Sequence, residues 1–111
     1  MADAMPLLRG TLDVLVLKTL SWGPMHGFEI ASWLESRSDG RLMIDDSALL
    51  QALRRMEERD LVEAEWGVTE NNRRARYYRM TAKGRAFLKE EREKLADYTE
   101  ALASVLGART A

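Results

Sequence analysis

Two segments with alternating apolar and polar residues, separated by turn residues, place the strongest constraint on the fold of this chain. Residues 61–66 and 76–80 both alternate with the period of two expected of a half-buried strand. Residues 67–72, GVTENN, are rich in turn formers, so the pair is predicted to form a β-hairpin with a long tip. Trp66, Tyr78 and Met80 are predicted to secure this ribbon to the core.

Predicted helices precede and follow the hairpin in the sequence. Helices are predicted over residues 7–21, 25–36, 46–59 and 82–106, and a short strand over residues 41–44. Asp45, Asp46 and Ser47 supply N-cap chemistry for the third helix, and Thr81 caps the fourth. The predicted fold class is therefore mainly α with a small β-hairpin, an α+β chain forming one compact unit.

The third helix has two distinct faces. Leu49, Leu53 and Met56 form its core stripe at helical spacing. The opposite face carries side chains that can contact nucleic acid: Ser47, Leu50, Gln51, Arg54 and Arg55. Polar residues opposite a core stripe are most often solvent-facing, so both interpretations remain open at this point.

Positive charge is concentrated in one part of the chain. Residues 71–89 contain seven basic residues and no acid, whereas the rest of the sequence holds ten basic residues against eighteen acids, a balance of −8. A basic segment on an acidic body is a candidate footprint for nucleic acid or anionic lipid. A solvated charged face without a partner is the alternative.

The first and last helices carry more apolar surface than a chain of 111 residues can cover by itself. The first helix is apolar on more than one side, and the last repeats apolar residues at coiled-coil spacing, with Glu91 interrupting the repeat. Dimerisation is the prediction, and a last helix folded back on its own domain is the alternative. The predicted interface residues are Leu12, Leu15, Leu88, Leu95, Tyr98, Leu102 and Val105.

Catalytic chemistry has little support in the sequence. Cysteine is absent and His26 is the single histidine, so a Ser/His/Asp or Cys/His set is incomplete. Asp45 and Asp46 are better explained as caps than as metal ligands, and neither a metal nor a cofactor is predicted. The run LDVLVLKTLSW is 11 residues long, about half a bilayer span, and Asp13 and Lys18 interrupt it, so a soluble protein without membrane association is expected. The absence of cysteine suits the reducing cytoplasm, which is the expected location.

The order helix, helix, short strand, helix, basic hairpin, helix matches the plan of a winged helix-turn-helix protein. In that plan the third helix enters the major groove and the hairpin, or wing, reaches phosphates or the minor groove. Arg73, Arg74 and Arg76 are the predicted wing contacts. Gly27 would leave backbone amides open to a phosphate, and His26 lies either beside that phosphate or simply exposed.

The sequence also resembles the PadR-like transcriptional regulators over about residues 7–88, most closely their small subfamily-2 type. The matching motifs are LLRGTLDVLVLKTL (7–20), WGPMHGFEIA (22–31), LLQALRRMEERDLVEAEWG (49–67) and ENNRRARYYRMTAKGR (70–85). The resemblance implies a dimeric repressor that binds a palindromic double-stranded DNA operator. It divides the chain into a DNA-binding domain, 1–81, and a dimerisation helix, 82–111.

The chain departs from the family pattern at the recognition helix. Leu50 and Gln51 stand where the family usually carries a tyrosine-proline pair, and Asp60 replaces a common glycine. Some family members bind flat aromatic ligands between subunits, so the resemblance implies that a small aromatic effector is possible here. The candidate aromatics are Trp22, Trp33, Phe87 and Tyr98, and core packing is the alternative role for most of them. A winged helix used for protein interaction or ligand binding, with weak specific DNA binding, is the alternative function.

Overall fold

The protein is described from a computed structural model, which covers residues 5–6 and 10–108. Its elements, in chain order, are β1 (Met5–Pro6), α1 (Leu12–Leu20), β2 (Met25–His26), α2 (Gly27–Arg37), β3 (Leu42–Met43), α3 (Asp46–Glu58), β4 (Val62–Val68), β5 (Arg74–Met80) and α4 (Ala82–Leu106). The α+β fold class is confirmed. The first residues of the predicted first helix, 7–9, lie outside the described residues, and α1 begins at Leu12.

The predicted hairpin is present and is longer than expected. β4 and β5 pair antiparallel over seven residues each, with Ala64 opposite Tyr78 and Val68 opposite Arg74. Gly67 and Val68, predicted for the tip, therefore belong to the ladder. The tip is closed by the Thr69 amide, which donates to the carbonyl oxygen of Arg73 at 2.8 Å.

A third strand joins the hairpin from an unexpected place. Met25 and His26, predicted as the first turn of α2, instead pair antiparallel with Tyr78 and Tyr77 of β5. The strand order is β2-β5-β4. His26 has extended backbone angles and forms the N-cap of α2, so the chain changes from strand to helix at this residue.

The core lies between the first three helices and the inner face of the sheet. Val16 and Leu17 of α1, Ile30 of α2, and Leu53 and Met56 of α3 are essentially inaccessible to solvent. The predicted stripe of α3 is thus confirmed as buried. Its predicted N-cap is confirmed as well, because the Asp45 carboxylate accepts a hydrogen bond from the Ala48 amide at 2.9 Å.

Trp66 corrects one expectation about the ribbon. Tyr78 and Met80 are buried as predicted, but the side chain of Trp66 is 57% exposed. It alternates correctly with Val62 and Ala64, yet it lies four residues along the strand from Val62, beyond the edge of the core. Alternation therefore gave the correct face of the strand but not the distance over which the core covers it.

α4 is joined directly to the sheet. The Thr81 hydroxyl accepts from the Gly84 amide at 2.9 Å and donates to the Asp60 carbonyl at 2.6 Å, which confirms the predicted cap. Gly84 lies against the backbone of Leu61. The helix then runs for 25 residues and gives the molecule its elongated shape of 62 × 35 × 21 Å.

Removing this cap is expected to destabilise the protein measurably. Thr81→Ala deletes both hydroxyl bonds and should lower the free energy of unfolding by about 1–2 kcal/mol. Thr99→Ala is the matched control, because its hydroxyl only donates to a carbonyl one turn earlier on an exposed stretch of α4. Urea denaturation followed by circular dichroism would measure both; equal midpoints for the two variants would contradict the role of the cap.

Candidate nucleic-acid interface

The outward face of α3 is exposed as the sequence predicted. All five side chains proposed to contact nucleic acid are solvent-accessible: Ser47, Leu50, Gln51, Arg54 and Arg55. Their exposure follows from the helical period, since the buried stripe occupies the opposite side. The face is available to a ligand, although exposure alone does not identify one.

The two arginines on this face differ in their surroundings. The Arg55 guanidinium donates to the Asp13 carboxylate of α1 at 2.8 Å, so part of its hydrogen-bonding capacity is used within the chain. Arg54 has no acidic partner within residues 10–108. It is therefore better placed than Arg55 to bind an external anion, because no internal ion pair has to be broken first.

The wing (residues 62–80, β4, β5 and their connection) presents basic side chains at its end. Arg73 is exposed in the turn, where its amide is held by the Thr69 hydroxyl at 3.2 Å. Arg74 is exposed at the first position of β5, and its guanidinium lies 4.5 Å from the centre of the Trp66 ring. Stacking on an indole orients a guanidinium while leaving its edge free to bind phosphate.

Arg76 occupies a different environment from the other two wing arginines. It lies on the same ribbon face as Tyr78, so it points toward α3, where it donates to the Glu57 carboxylate at 2.7 Å. Its Nε is buried and has no hydrogen-bond acceptor in the described part of the chain. The contact of Arg76 with DNA stays a prediction, but the side chain already links the wing to α3.

Arg79 is on the other ribbon face and is charge-compensated. Its guanidinium donates to the Glu63 carboxylate on the neighbouring strand. That hydrogen bond, together with the negative charge of Glu63, raises the pKa of the arginine above its ordinary value. The side chain is fully charged at any pH of interest, but its charge is shared with an acid.

The start of α2 is capped by its own side chains. The His26 Nδ1 accepts from the Glu29 amide at 3.4 Å, and the Glu29 carboxylate accepts from the His26 amide at 3.1 Å. The His26 ring also packs edge-on against Tyr77, with 5.3 Å between centroids. The carboxylate of Glu29 opposes a phosphate near Gly27, so this helix start is less open than the sequence predicted.

Three exposed apolar side chains near these groups were not predicted as site residues. Phe28 at the start of α2 is 79% exposed, and Trp66 and Val68 are exposed on the wing. Their signal in the sequence was weak, because Phe28 and Trp66 each fit an amphipathic pattern that predicts burial. Large apolar groups exposed beside basic ones are typical of interaction surfaces.

The predicted dimer residues fall into three groups by exposure. Leu12, Leu15 and Leu95 are half-buried, whereas Tyr98, Leu102 and Val105 are exposed, with Val105 at 75%. Leu88 differs from the rest, since it is only 7% exposed and packs into the core of its own chain. The apolar surface left uncovered on α4 therefore begins near Leu95.

The four candidate effector aromatics are likewise divided. Trp33 and Phe87 pack against the core, with Arg37 and Arg59 stacked on them. Trp22 and Tyr98 are exposed and could contact a molecule outside the chain. Within the residues that the structure describes, no cluster of three or more potential metal ligands is found. Nor does any described helix combine the length and apolarity needed to cross a membrane.

Comparison with known proteins gives one consistent family. Residues 16–90 match the model of the transcriptional regulator PadR-like family. A transcriptional regulator from Clostridium thermocellum is 26% identical, with a TM-score of 0.79 over 86% of this chain and 90% of its own. A PadR family transcriptional regulator from Eggerthella lenta is 27% identical, with a TM-score of 0.77 over 91% and 86% of the two chains.

Bacillus subtilis PadR, solved in complex with operator DNA, is a more distant structural neighbour. It is 16% identical to this chain, with a TM-score of 0.65 over 72% of this chain and 45% of its own length. At this identity the likeness concerns the fold alone.

Proposed function

The chain belongs to the PadR-like family of transcriptional regulators, and from that premise we propose that it binds operator DNA as a homodimer and represses transcription. Members of this family are regulators and not enzymes, in agreement with the missing catalytic set. Residues 1–81 would form the DNA-binding part, and residues 82–111 the dimerisation helix.

The main support is that the wing and the exposed face of α3 are held together. The 2.7 Å bond from Arg76 to Glu57 joins the two elements directly. A rigid pair of this kind can contact two adjacent regions of a duplex in a fixed register, which DNA recognition by this fold requires. This internal role is compatible with Arg76 contributing its remaining donors to a phosphate.

The recognition helix, residues 46–59, is proposed to lie in the major groove. Gln51 and Arg54 would contact base edges or phosphates, Ser47 and Arg55 phosphates, and Leu50 a thymine methyl group. Leu50 is exposed and apolar, so its side chain can pack against a methyl group but cannot donate or accept a hydrogen bond. His26 and Gly27 would lie close to the DNA backbone.

The basic end of the wing, residues 67–76, is proposed to contact the backbone or the minor groove through Arg73 and Arg74. The structure of Bacillus subtilis PadR with operator DNA supports DNA as the ligand of this fold. A two-fold symmetric dimer would read an inverted repeat, with half-sites about one helical turn or a multiple of it apart.

Replacing Arg73 and Arg74 together by alanine is expected to weaken DNA binding in a salt-dependent way. Each phosphate that an arginine neutralises releases counterions, so the slope of log affinity against log salt should fall by about 0.9 for each phosphate no longer neutralised. Mobility shifts would be measured at several salt concentrations on the DNA upstream of the protein's own gene. Arg79→Ala is the control, since that arginine is already paired with Glu63; unchanged slopes in the double variant would refute the wing assignment.

A protein-interaction or ligand-binding role with weak specific DNA binding is the second candidate. The acids beside the predicted DNA contacts favour it, namely Glu29 at the start of α2 and Asp45 and Asp46 at the start of α3. Footprinting of the same upstream DNA separates the two functions. A protected palindrome supports repression, whereas uniform, salt-sensitive retention without protection supports the second candidate.

A further inference from the structure

The face of the wing that packs on the core continues beyond the edge of the core toward the tip. Trp66 and Arg76 lie opposite each other on this face, and Val68 and Arg74 form the next pair outward. Because Arg76 donates to Glu57, this face is turned toward α3. The pair of Val68 and Arg74 therefore lies two residues further along the wing than the contact with α3.

This outer part of the face is an apolar surface that carries a positive charge. Trp66 is 57% exposed and Val68 63% exposed, and the guanidinium of Arg74 lies 4.5 Å from the centre of the indole ring. Within the part of the chain that the structure describes, Arg74 forms no ion pair. The acids of the two strands, Glu63 and Glu65, lie on the opposite ribbon face.

This combination of groups suits the minor groove better than the phosphate backbone. A guanidinium that binds a phosphate at the surface of a duplex stays hydrated and needs no apolar neighbours, and Arg73, beside Asn72 in the turn, has such polar surroundings. An arginine in the minor groove loses water, and the indole already covers one face of Arg74. The walls of the groove are deoxyribose, whose C–H groups can pack against Trp66 and Val68.

The floor of the minor groove determines which base pairs such an arginine accepts. A·T pairs present only acceptors there, whereas a G·C pair adds the N2 amino group of guanine, a donor that opposes a guanidinium. Runs of A·T pairs also narrow the groove, which strengthens its negative potential and favours a bound cation. Lysine suits this position less well, because its ammonium group is more strongly hydrated and cannot stack flat on a ring.

We propose that Arg74 enters the minor groove beside the major-groove site of α3 and selects A·T pairs there, and that Trp66 is the residue that positions it. Arg73 contacts phosphate, so the two neighbouring arginines have different functions. This inference rests on the proposed function, because it requires that the protein binds duplex DNA. It adds that base composition is read outside the recognition helix, by a side chain whose orientation depends on stacking.

Modified bases can test the minor groove separately from the major groove. The probes are four duplexes of about 20 base pairs, or two helical turns. Diaminopurine in place of adenine adds an amino group to the minor groove of an A·T duplex and leaves the major groove unchanged, and inosine in place of guanosine removes that group from a G·C duplex. In competition followed by fluorescence anisotropy, the full chain should prefer each duplex without the amino group by about five-fold.

Substitutions assign this preference to the stacked pair. Arg74→Lys keeps the charge and so should keep the salt slope, but the preference should fall below about two-fold. Trp66→Ala should have the same effect although Arg74 is unchanged, and Trp66→Phe, which retains an aromatic ring, should restore most of the preference. Arg79→Lys is the corresponding change on the opposite ribbon face, where Glu63 pairs with the arginine, and should leave the preference intact.

The stacking itself can be measured without DNA, from the chemical shifts of the Arg74 δ protons. The ring current of the indole should move these protons upfield, and Trp66→Ala should return them to the values of an exposed arginine. Thermal unfolding would verify that this variant is folded, as expected for an exposed side chain. Adding Trp66→Ala to Arg74→Lys should cost no further preference, because the tryptophan acts through the arginine.

The outcomes distinguish this inference from the proposed function. If the protein binds none of the four duplexes at low salt, the proposed function fails and the inference fails with it. Equal binding of the A·T and diaminopurine duplexes would leave DNA binding intact and overturn the minor-groove assignment alone. Unshifted Arg74 protons, or a preference that persists in Trp66→Ala, would overturn the positioning role of Trp66, and so would a further loss in the double variant.

Discussion

Gly84→Ala is expected to lower the free energy of unfolding by about 3 kcal/mol, at the upper end of the range for overpacking. A Cβ at this position would lie 2.0 Å from the carbonyl oxygen of Leu61 and 3.0 Å from its carbonyl carbon. That oxygen cannot move freely, because it accepts from the Thr81 amide at 3.1 Å and the Leu61 amide donates to Met56 at 2.8 Å. The clash must therefore be relieved by displacing α4 from the sheet.

Two other glycines provide graded controls for this experiment. A Cβ on Gly27 would meet nothing within 4 Å, so Gly27→Ala should be neutral or slightly stabilising. A Cβ on Gly67 would lie 2.9 Å from the Tyr77 ring, a side chain that can move, so an intermediate loss is expected. Guanidinium denaturation would rank the three variants; a Gly84→Ala midpoint equal to that of Gly27→Ala would contradict the close packing.

Leu102→Lys is expected to weaken the proposed dimer by at least about one-hundred-fold. Leu102 lies within the exposed apolar stretch of α4 that begins near Leu95. Burying a leucine side chain contributes about 2 kcal/mol, and placing an ammonium group in an apolar interface adds a desolvation cost of at least similar size. Sedimentation equilibrium over a range of protein concentrations would give the two dissociation constants.

Ser104→Lys is the matched control for the dimer. It adds the same charge two residues later, on the side of α4 away from the apolar repeat, where the side chain is exposed. It should leave the dissociation constant within about two-fold, since a surface lysine near a helix C-terminus is neutral or mildly favourable. Monomeric behaviour of the unchanged protein, or equal weakening by both lysines, would argue for a helix that does not dimerise through this face.

The sequence was sufficient for the parts of the fold that depend on local chemistry. The Asp45 and Thr81 caps, the buried stripe of α3 and the pairing of the wing strands all follow from side chains near in sequence. The exposure of Trp66 and the burial of Leu88 do not, because both depend on how far the core extends. That distance is set by packing between elements far apart in the chain.

The candidate site was predictable in composition but not in its connections. Exposure of Gln51, Arg54 and Arg73 follows from helix and turn patterns. The pairing of Arg76 with Glu57 joins residues 19 apart in sequence, so it can be recognised only from the three-dimensional structure. Strand β2 was missed for the same reason, since two residues beside a helix start carry no periodicity and gain their strand character only from β5.

The close packing between α4 and the sheet couples the orientation of α4 in the proposed dimer to the orientation of the wing. One residue separates β5 from α4, and Thr81 and Gly84 fix the angle between them, so the helix and the wing turn together. A 25-residue helix is about 37 Å long, so a tilt of about 5° at one end displaces the other by about 3 Å. A small change in how the two long helices cross would thus be amplified into a change of spacing between the two recognition helices.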